Sequence, residues 1–358
     1  MPNEQFNSPQ GYKTPVGILG VGHFVPDEIV TNADLARFVD TTDEWIVSRT
    51  GIRARRRATS DQATSDLAIE AGRRALEAAA IRPEDLDLII VATMTPDCPM
   101  PATSSIVQHK LGATRAGGFD LNIACSGFVY ALITGAQFVA SGTFRRVLVI
   151  GADCMTRLMN WKDRSTCVLF GDGAGAVVLG PVASGYGLMG VHTGVNGAGG
   201  PSLTVNAGGS RMPSWSEGVD PSDFYLQMEG PEVFRFAVSV MGEAALKALD
   251  NGGLTPEQVA LFIPHQANAR IIEASRKRLN LPPARVFSNV EHYGNTSCGS
   301  VPLALSEALE QGRIQDGDLV VLVGFGGGLS WASAAIRWGG VALEPGVGGF
   351  RGRRVSPP

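Results

Sequence analysis

The chain has 358 residues, a formal net charge of −4, 18% charged and 44% apolar residues, and 45 glycines. Disordered chains carry higher charge and fewer apolar residues. Strongly basic nucleic-acid binders lie far above an isoelectric point of 5.8, and the glycines show no Gly-X-Y period. The opening MPNEQFNSPQGYK lacks the apolar core of a secretory signal, and no run of about 18 apolar residues marks a membrane span. Five cysteines over this length fit a reducing cytosol rather than a disulfide framework.

In chain order, near-continuous apolar runs at 16–19, 88–92, 147–150, 176–179, 261–264 and 319–323 predict strands covered on both faces. Helical periodicity fills the gaps at 64–80, 127–141, 234–249 and 269–279. Leu67, Ala71, Ala75 and Ala78 share one face of the first of these helices. The alternation implies an α/β fold.

A repeat runs through this pattern. The interval from Pro83 to Pro256 is the same as that from Gly151 to Gly324. CSGFV from Cys125 lies opposite SCGSV from Ser297, and FGDGAGAVVLG from Phe170 echoes FGGGLSWASAAI from Phe325. Matching offsets in order imply two similar α/β halves, 14–184 and 185–340, with flexible tails at 1–13 and 341–358.

Cys125 follows an apolar strand and opens a helical pattern, with small neighbours Ala124, Ser126 and Gly127. A helix N-terminus favours a thiolate, so Cys125 is a candidate nucleophile. His265 ends the strand at 261–264, where α/β sheets hold ligands. Asn295, in YGNTS, lies opposite the Cys125 turn in the repeat. A pseudo-twofold axis between the halves would bring Cys125, His265 and Asn295 together. Asparagine offers a donor that does not titrate, and neutral histidine can donate or move a proton.

Together the stretches TNADLARFVDTTDEWIVSRTGIRARR, ACSGF, STCVLFGDGAGAVVLG, PHQANARII, HYGNTSCGSVPLAL and GFGGGLSWASA resemble the β-ketoacyl-acyl carrier protein synthase III family, starter condensing enzymes of the thiolase superfamily. The resemblance covers roughly 14–338 and implies a five-layer αβαβα fold of two duplicated halves. It implies an acylated Cys125, with His265 and Asn295 assisting decarboxylation of a malonyl thioester. The amides of Cys125 and Gly327 would form an oxyanion hole. Phe128, Phe170, Phe234 and Phe325 resemble pocket and channel residues. Trp45, Arg49 and Arg164 match positions that hold coenzyme A, and Asn268 would reach its pantetheine. Met100 matches a position that closes the acyl pocket across a dimer interface. Thiolases carry a second cysteine in a different C-terminal motif, elongating synthases have two histidines, and plant-type polyketide synthases carry GFGPG where this chain reads GFGGG.

The expected partners are therefore acyl-CoA, malonyl-acyl carrier protein and a second copy of the chain, in the cytoplasm, without metal or cofactor. Arg235, Lys247, Arg270, Arg276, Lys277 and Arg278 form a candidate basic patch for the acidic carrier protein. A secondary-metabolism homologue with the same trio is the alternative. A non-catalytic partner subunit would lack the nucleophile. The glycine-rich 171–175 segment runs into a strand and so is no dinucleotide fingerprint. Cys298 reads as part of a packed helix start. The loop 194–209 has no assigned role.

Overall fold

The computed structural model describes residues 14–341, so the expected tail 1–13 and all but Val341 of the expected tail 341–358 lie outside the described residues. The first half runs β1 (Val16–Phe24), β2 (Glu28–Thr31), α1 (Asn32–Leu35), α2 (Asp43–Thr50), β3 (Ala54–Arg57), α3 (Thr64–Ala79), β4 (Leu88–Ala92), α4 (Thr103–Leu111), β5 (Gly117–Leu121), α5 (Gly127–Ala140), β6 (Val147–Cys154) and β7 (Asp172–Pro181). The second runs β8 (Gly187–Val195), β9 (Leu203–Thr204), β10 (Gln227–Met228), α6 (Gly230–Asn251), β11 (Val259–Pro264), α7 (Ala269–Arg278), α8 (Val290–Tyr293), α9 (Ser300–Glu310), β12 (Leu319–Gly326) and β13 (Ser330–Arg337).

Two mixed sheets form the frame, in the orders β1-β7-β6-β4-β5 and β11-β12-β13-β8. Within the first, β6-β4-β5 are parallel and β1 and β7 antiparallel. The second repeats this with β12 parallel to β11 and antiparallel to β13. The counterpart of β5 is reduced to one parallel bridge, Phe262 to Val286.

Packing gives five layers: α3 and α4 outside, a sheet, α5 and α9 in the middle, the second sheet, then α6 and α7. Residue chemistry dictates the order. The α5 sequence GFVYALITGAQFVA has no charged residue, so it is stable only between two apolar surfaces. The α3 helix is amphipathic, with Leu67, Ala71 and Ala75 buried and Glu70, Arg73, Arg74 and Glu77 on its outer side.

All six predicted strands form. The sequence reading missed β8 and β13, whose Gly, Ser and Ala content hides them from an apolar-run criterion. The repeat needs one correction. Ala124 and Ser297, separated by the same interval as Gly151 and Gly324, both take left-handed backbone angles (φ 47° and 49°), and each opens a 3-10 turn. The counterpart of Cys125 is therefore Cys298, not Ser297. The Phe170–Phe325 echo also fails: Phe170 precedes β7 and bridges to Asn295, whereas Phe325 lies within β12. The intervening 155–171 segment is matched in the second half only by the short turn 327–329, so the constant offset ends there.

Candidate active site

One cavity of about 830 Å³ lies where the two halves meet, and Cys125, His265 and Asn295 all line it. Cys125 comes from the 3-10 turn before α5, His265 follows β11, and Asn295 precedes the turn into α9. Its remaining wall is largely apolar and includes Met94, Met155, Leu158, Leu226, Met228 and Val233.

Each trio member is held by named contacts. The Cys125 residue is 6% exposed, and burial pushes its thiol up to about 12, opposed by hydrogen bonding from Ser297 and reinforced by the Asp153 charge. Desolvation thus acts against the thiolate that the helix start favours. The His265 N–H donates to Val323 O at 2.7 Å, its Nδ1 bonds the Ser300 hydroxyl, and its ring meets Phe325 edge-on at 5.1 Å. Burial lowers its pKa to about 3, so the imidazole is neutral. Asn295 Oδ1 accepts the Ser297 N–H at 2.8 Å, and the Asn295 backbone pairs with Leu169 and Gly171. That fixes the amide with Nδ2 as its remaining donor.

Gly327 lines the cavity beside Cys125. A Cβ on neighbouring Gly326 would stand 2.6 Å from the Cys125 nitrogen, so only glycine leaves that N–H uncovered. Two hydroxyls tie this loop to the nucleophile turn: Ser330 Oγ donates to Gly327 O at 2.8 Å and lies 2.7 Å from Ser126 Oγ. Residue pattern alone did not reveal this pair, although each serine neighbours a residue already singled out.

The remaining expected residues divide. Phe170, Phe234, Phe325 and Asn268 line the cavity, whereas Phe128 is fully buried between the sheets. Trp45 lies outside the lining, under the guanidinium carbons of Arg49 (4.5 Å) and Arg164 (5.0 Å). Asn268 connects this cluster to the cavity by donating to Arg49 O at 3.0 Å. It also caps α7 by accepting the Arg270 N–H, a role not foreseen. Met100 is 86% exposed and away from the cavity of its own chain.

The basic patch is not one surface. Arg270 stacks on the cavity-lining Phe234 at 5.0 Å, and exposed Arg235 is next to it in sequence. Lys247 lies about 18 Å further along α6 at 1.5 Å per residue, near His192. Arg276 and Lys277 pair with Glu273, and the Arg278 stem packs over Gly242 of α6.

Two further walls were missed. The 203–209 segment supplies Leu203, Thr204, Val205, Ala207, Gly208 and Gly209, which gives the unassigned glycine-rich loop a place. Asn122 also lines the cavity and accepts the Ala124 N–H through Oδ1. It precedes Asn295 by the full repeat interval, so the repeat could have found it.

Comparisons with known proteins bear on the family and the fold. Residues 119–197 match the profile of 3-oxoacyl-[acyl-carrier-protein] synthase III, and residues 249–338 that of its C-terminal region. A β-ketoacyl-[acyl-carrier-protein] synthase III of Caldanaerobacter subterraneus is 55% identical over 91% of this chain and 98% of the relative. The chain belongs to the β-ketoacyl-acyl carrier protein synthase III family. The Thermus thermophilus synthase III structure superposes with a TM-score of 0.85 at 47% identity, covering 91% of this chain and 100% of that one. A priming β-ketosynthase of the R1128 polyketide pathway superposes equally well at 40% identity, covering 94% and 98%. The fold is thiolase-like, and this synthase III is a condensing enzyme of the acyltransferase class. Among the described residues no helix is long and apolar enough to cross a membrane.

Proposed function

We propose that this chain condenses an acyl-CoA primer with malonyl-acyl carrier protein, yielding a 3-oxoacyl-acyl carrier protein at the start of type II fatty-acid synthesis in the cytosol. The observation that carries this reading is the convergence of Cys125, His265 and Asn295, from separate segments, on one largely apolar cavity.

In the first half-step the Cys125 sulfur attacks the acyl-CoA carbonyl. The tetrahedral oxyanion accepts from the Cys125 and Gly327 amides, the C–S bond to coenzyme A breaks, and the thiol proton leaves with coenzyme A. In the second, the malonyl C–C bond breaks and CO₂ departs. Its electron pair forms an enolate whose oxygen accepts from His265 Nε2 and Asn295 Nδ2. The enolate carbon attacks the acyl-Cys125 thioester, a C–C bond forms, and the released sulfur regains a proton from solvent. A dry apolar wall favours loss of the charged carboxylate as neutral CO₂.

Trp45, Arg49 and Arg164 would hold the adenine, with Asn268 at the pantetheine, because Asn268 joins their cluster to the cavity. Arg235 and Arg270 would meet the carrier protein. A second copy would pair along the open edge of β5, bringing Met100 to its partner's acyl pocket. No cofactor enters this reaction. The halves 14–184 and 185–340 are read as a duplication.

The test is a panel of acyl-CoA primers with malonyl-acyl carrier protein, following the mass of the intact protein. Acylation of the wild type and its loss in Cys125→Ala support the reading. Malonyl-acyl carrier protein left unconsumed with every primer would shift it to the secondary-metabolism alternative.

A further inference from the structure

We infer that Ser300 is a positioning residue for His265: its hydroxyl donates to Nδ1 and so places the imidazole's own proton on Nε2, the nitrogen left for the substrate. This rests on the reading of His265 as a donor to the enolate oxygen.

Ser300, the first residue of α9, and His265 are each 1% exposed. Their hydrogen bond joins Ser300 Oγ to His265 Nδ1. Among the described residues the Ser300 hydroxyl has no other side-chain bond. Were Nδ1 protonated, it would donate to Ser300, and the serine proton would be buried without an acceptor. A buried donor left without an acceptor bears its desolvation cost uncompensated. With the serine as donor both groups are satisfied, and a neutral imidazole then carries its proton on Nε2. The low pKa of His265 agrees with a neutral ring, and the start of α9 beside it acts in the same direction.

The internal repeat adds an independent observation. Stepping back one repeat interval from His265 and Ser300 leads to Ala92 and Gly127. They occupy the matching places in the first half, at the end of β4 and the start of α5. A Cβ on Gly127 would lie 3.3 Å from the Ala92 Cβ, so the same two positions face each other there without polar groups. The histidine and the serine occur together in one half and are absent together from the other. A serine needed only to start a helix would not track the histidine in this way.

The experiment uses the full-length enzyme with ¹⁵N-labelled histidine, assigning the His265 ring by comparison with His265→Ala. In the wild type the ring nitrogen shifts are expected to show Nε2 protonated and Nδ1 as an acceptor. Ser300→Ala is expected to lose that pattern. Its malonyl decarboxylation should fall roughly tenfold to a hundredfold, while acylation of Cys125 by acyl-CoA changes less than about twofold. Ser300→Thr, which keeps the hydroxyl, should restore both the pattern and the rate. A wild-type ring protonated at Nδ1 would overturn the inference, as would Ser300→Ala with wild-type shifts and equal losses in both half-steps. If the wild type decarboxylates no malonyl thioester, the functional reading fails while the ring shifts still decide the tautomer.

Discussion

The turns around Cys125 and Cys298 share a backbone and differ in what surrounds them. Each begins with a left-handed residue, places a cysteine second, follows an asparagine and leads into a central helix. Cys298 is sealed: its N–H donates to Asp153 Oδ2 at 2.9 Å, and its Sγ donates to Ala124 O at 3.1 Å. Asp153 also accepts from Thr93, Met94 and Thr95, so this carboxylate is fully engaged. Its counterpart one repeat interval later is Gly326. Where one half caps the cysteine amide with a carboxylate, the other sets a glycine beside it. His265 and Ser300 replace Ala92 and Gly127 in the same comparison. The lesson is that a symmetric frame yields one active site when a few positions, on both halves, depart from symmetry.

The largest break in this comparison is Gly326→Ala. The added Cβ would press on the Cys125 amide, and acylation is expected to fall about a hundredfold or more, the scale of a lost oxyanion donor. Stopped-flow release of coenzyme A, with circular dichroism as a folding check, measures it. Because burial holds the Cys125 thiol up to about 12, its alkylation rate should rise about tenfold per pH unit between about pH 6 and 9, without a plateau. A plateau near neutral pH would mean a thiolate and a different activation. Ser330→Ala frees Gly327 O from its hydroxyl donor; the rate of acylation should fall about tenfold with little change in KM for acyl-CoA, since the amide is displaced rather than lost. Cys298→Ala should have the smallest effect, leaving acylation within about threefold, because a thiol hydrogen bond is weak and Cys298 lies outside the cavity lining. Steady-state kinetics of both variants would check this.

Much of the frame was legible because burial writes apolar runs into the sequence: β4, β6, β11 and β12 all begin within two residues of where the runs predict. The convergence of Cys125, His265 and Asn295 on one cavity was legible because His265 and Asn295 sit at junctions that the repeat marks. What escaped were features set by three-dimensional contact rather than by local pattern. The strands β8 and β13 pair through Gly, Ser and Ala and leave no apolar signature. Several glycines near the site make room for protein rather than for the cavity. Gly175 abuts Leu303 and Gly299 abuts Gly173, while Gly326, Gly327 and Gly328 do line the cavity. Burial pushes the Cys125 thiol up, an effect the sequence did not reveal because the helix start was visible there and the desolvation was not. The six basic residues looked like one patch, yet partners such as Glu273 and the length of α6 divide them.

The central claim is that one of two matched cysteines is the nucleophile. It is tested most directly by incubating the wild type with acyl-CoA, without a malonyl donor, and mapping the acyl group by peptide mass. A single acyl group on the Cys125 peptide, with none on the Cys298 peptide, is the predicted result. Acylation at Cys298, or an acyl-enzyme that persists in Cys125→Ala, would contradict it.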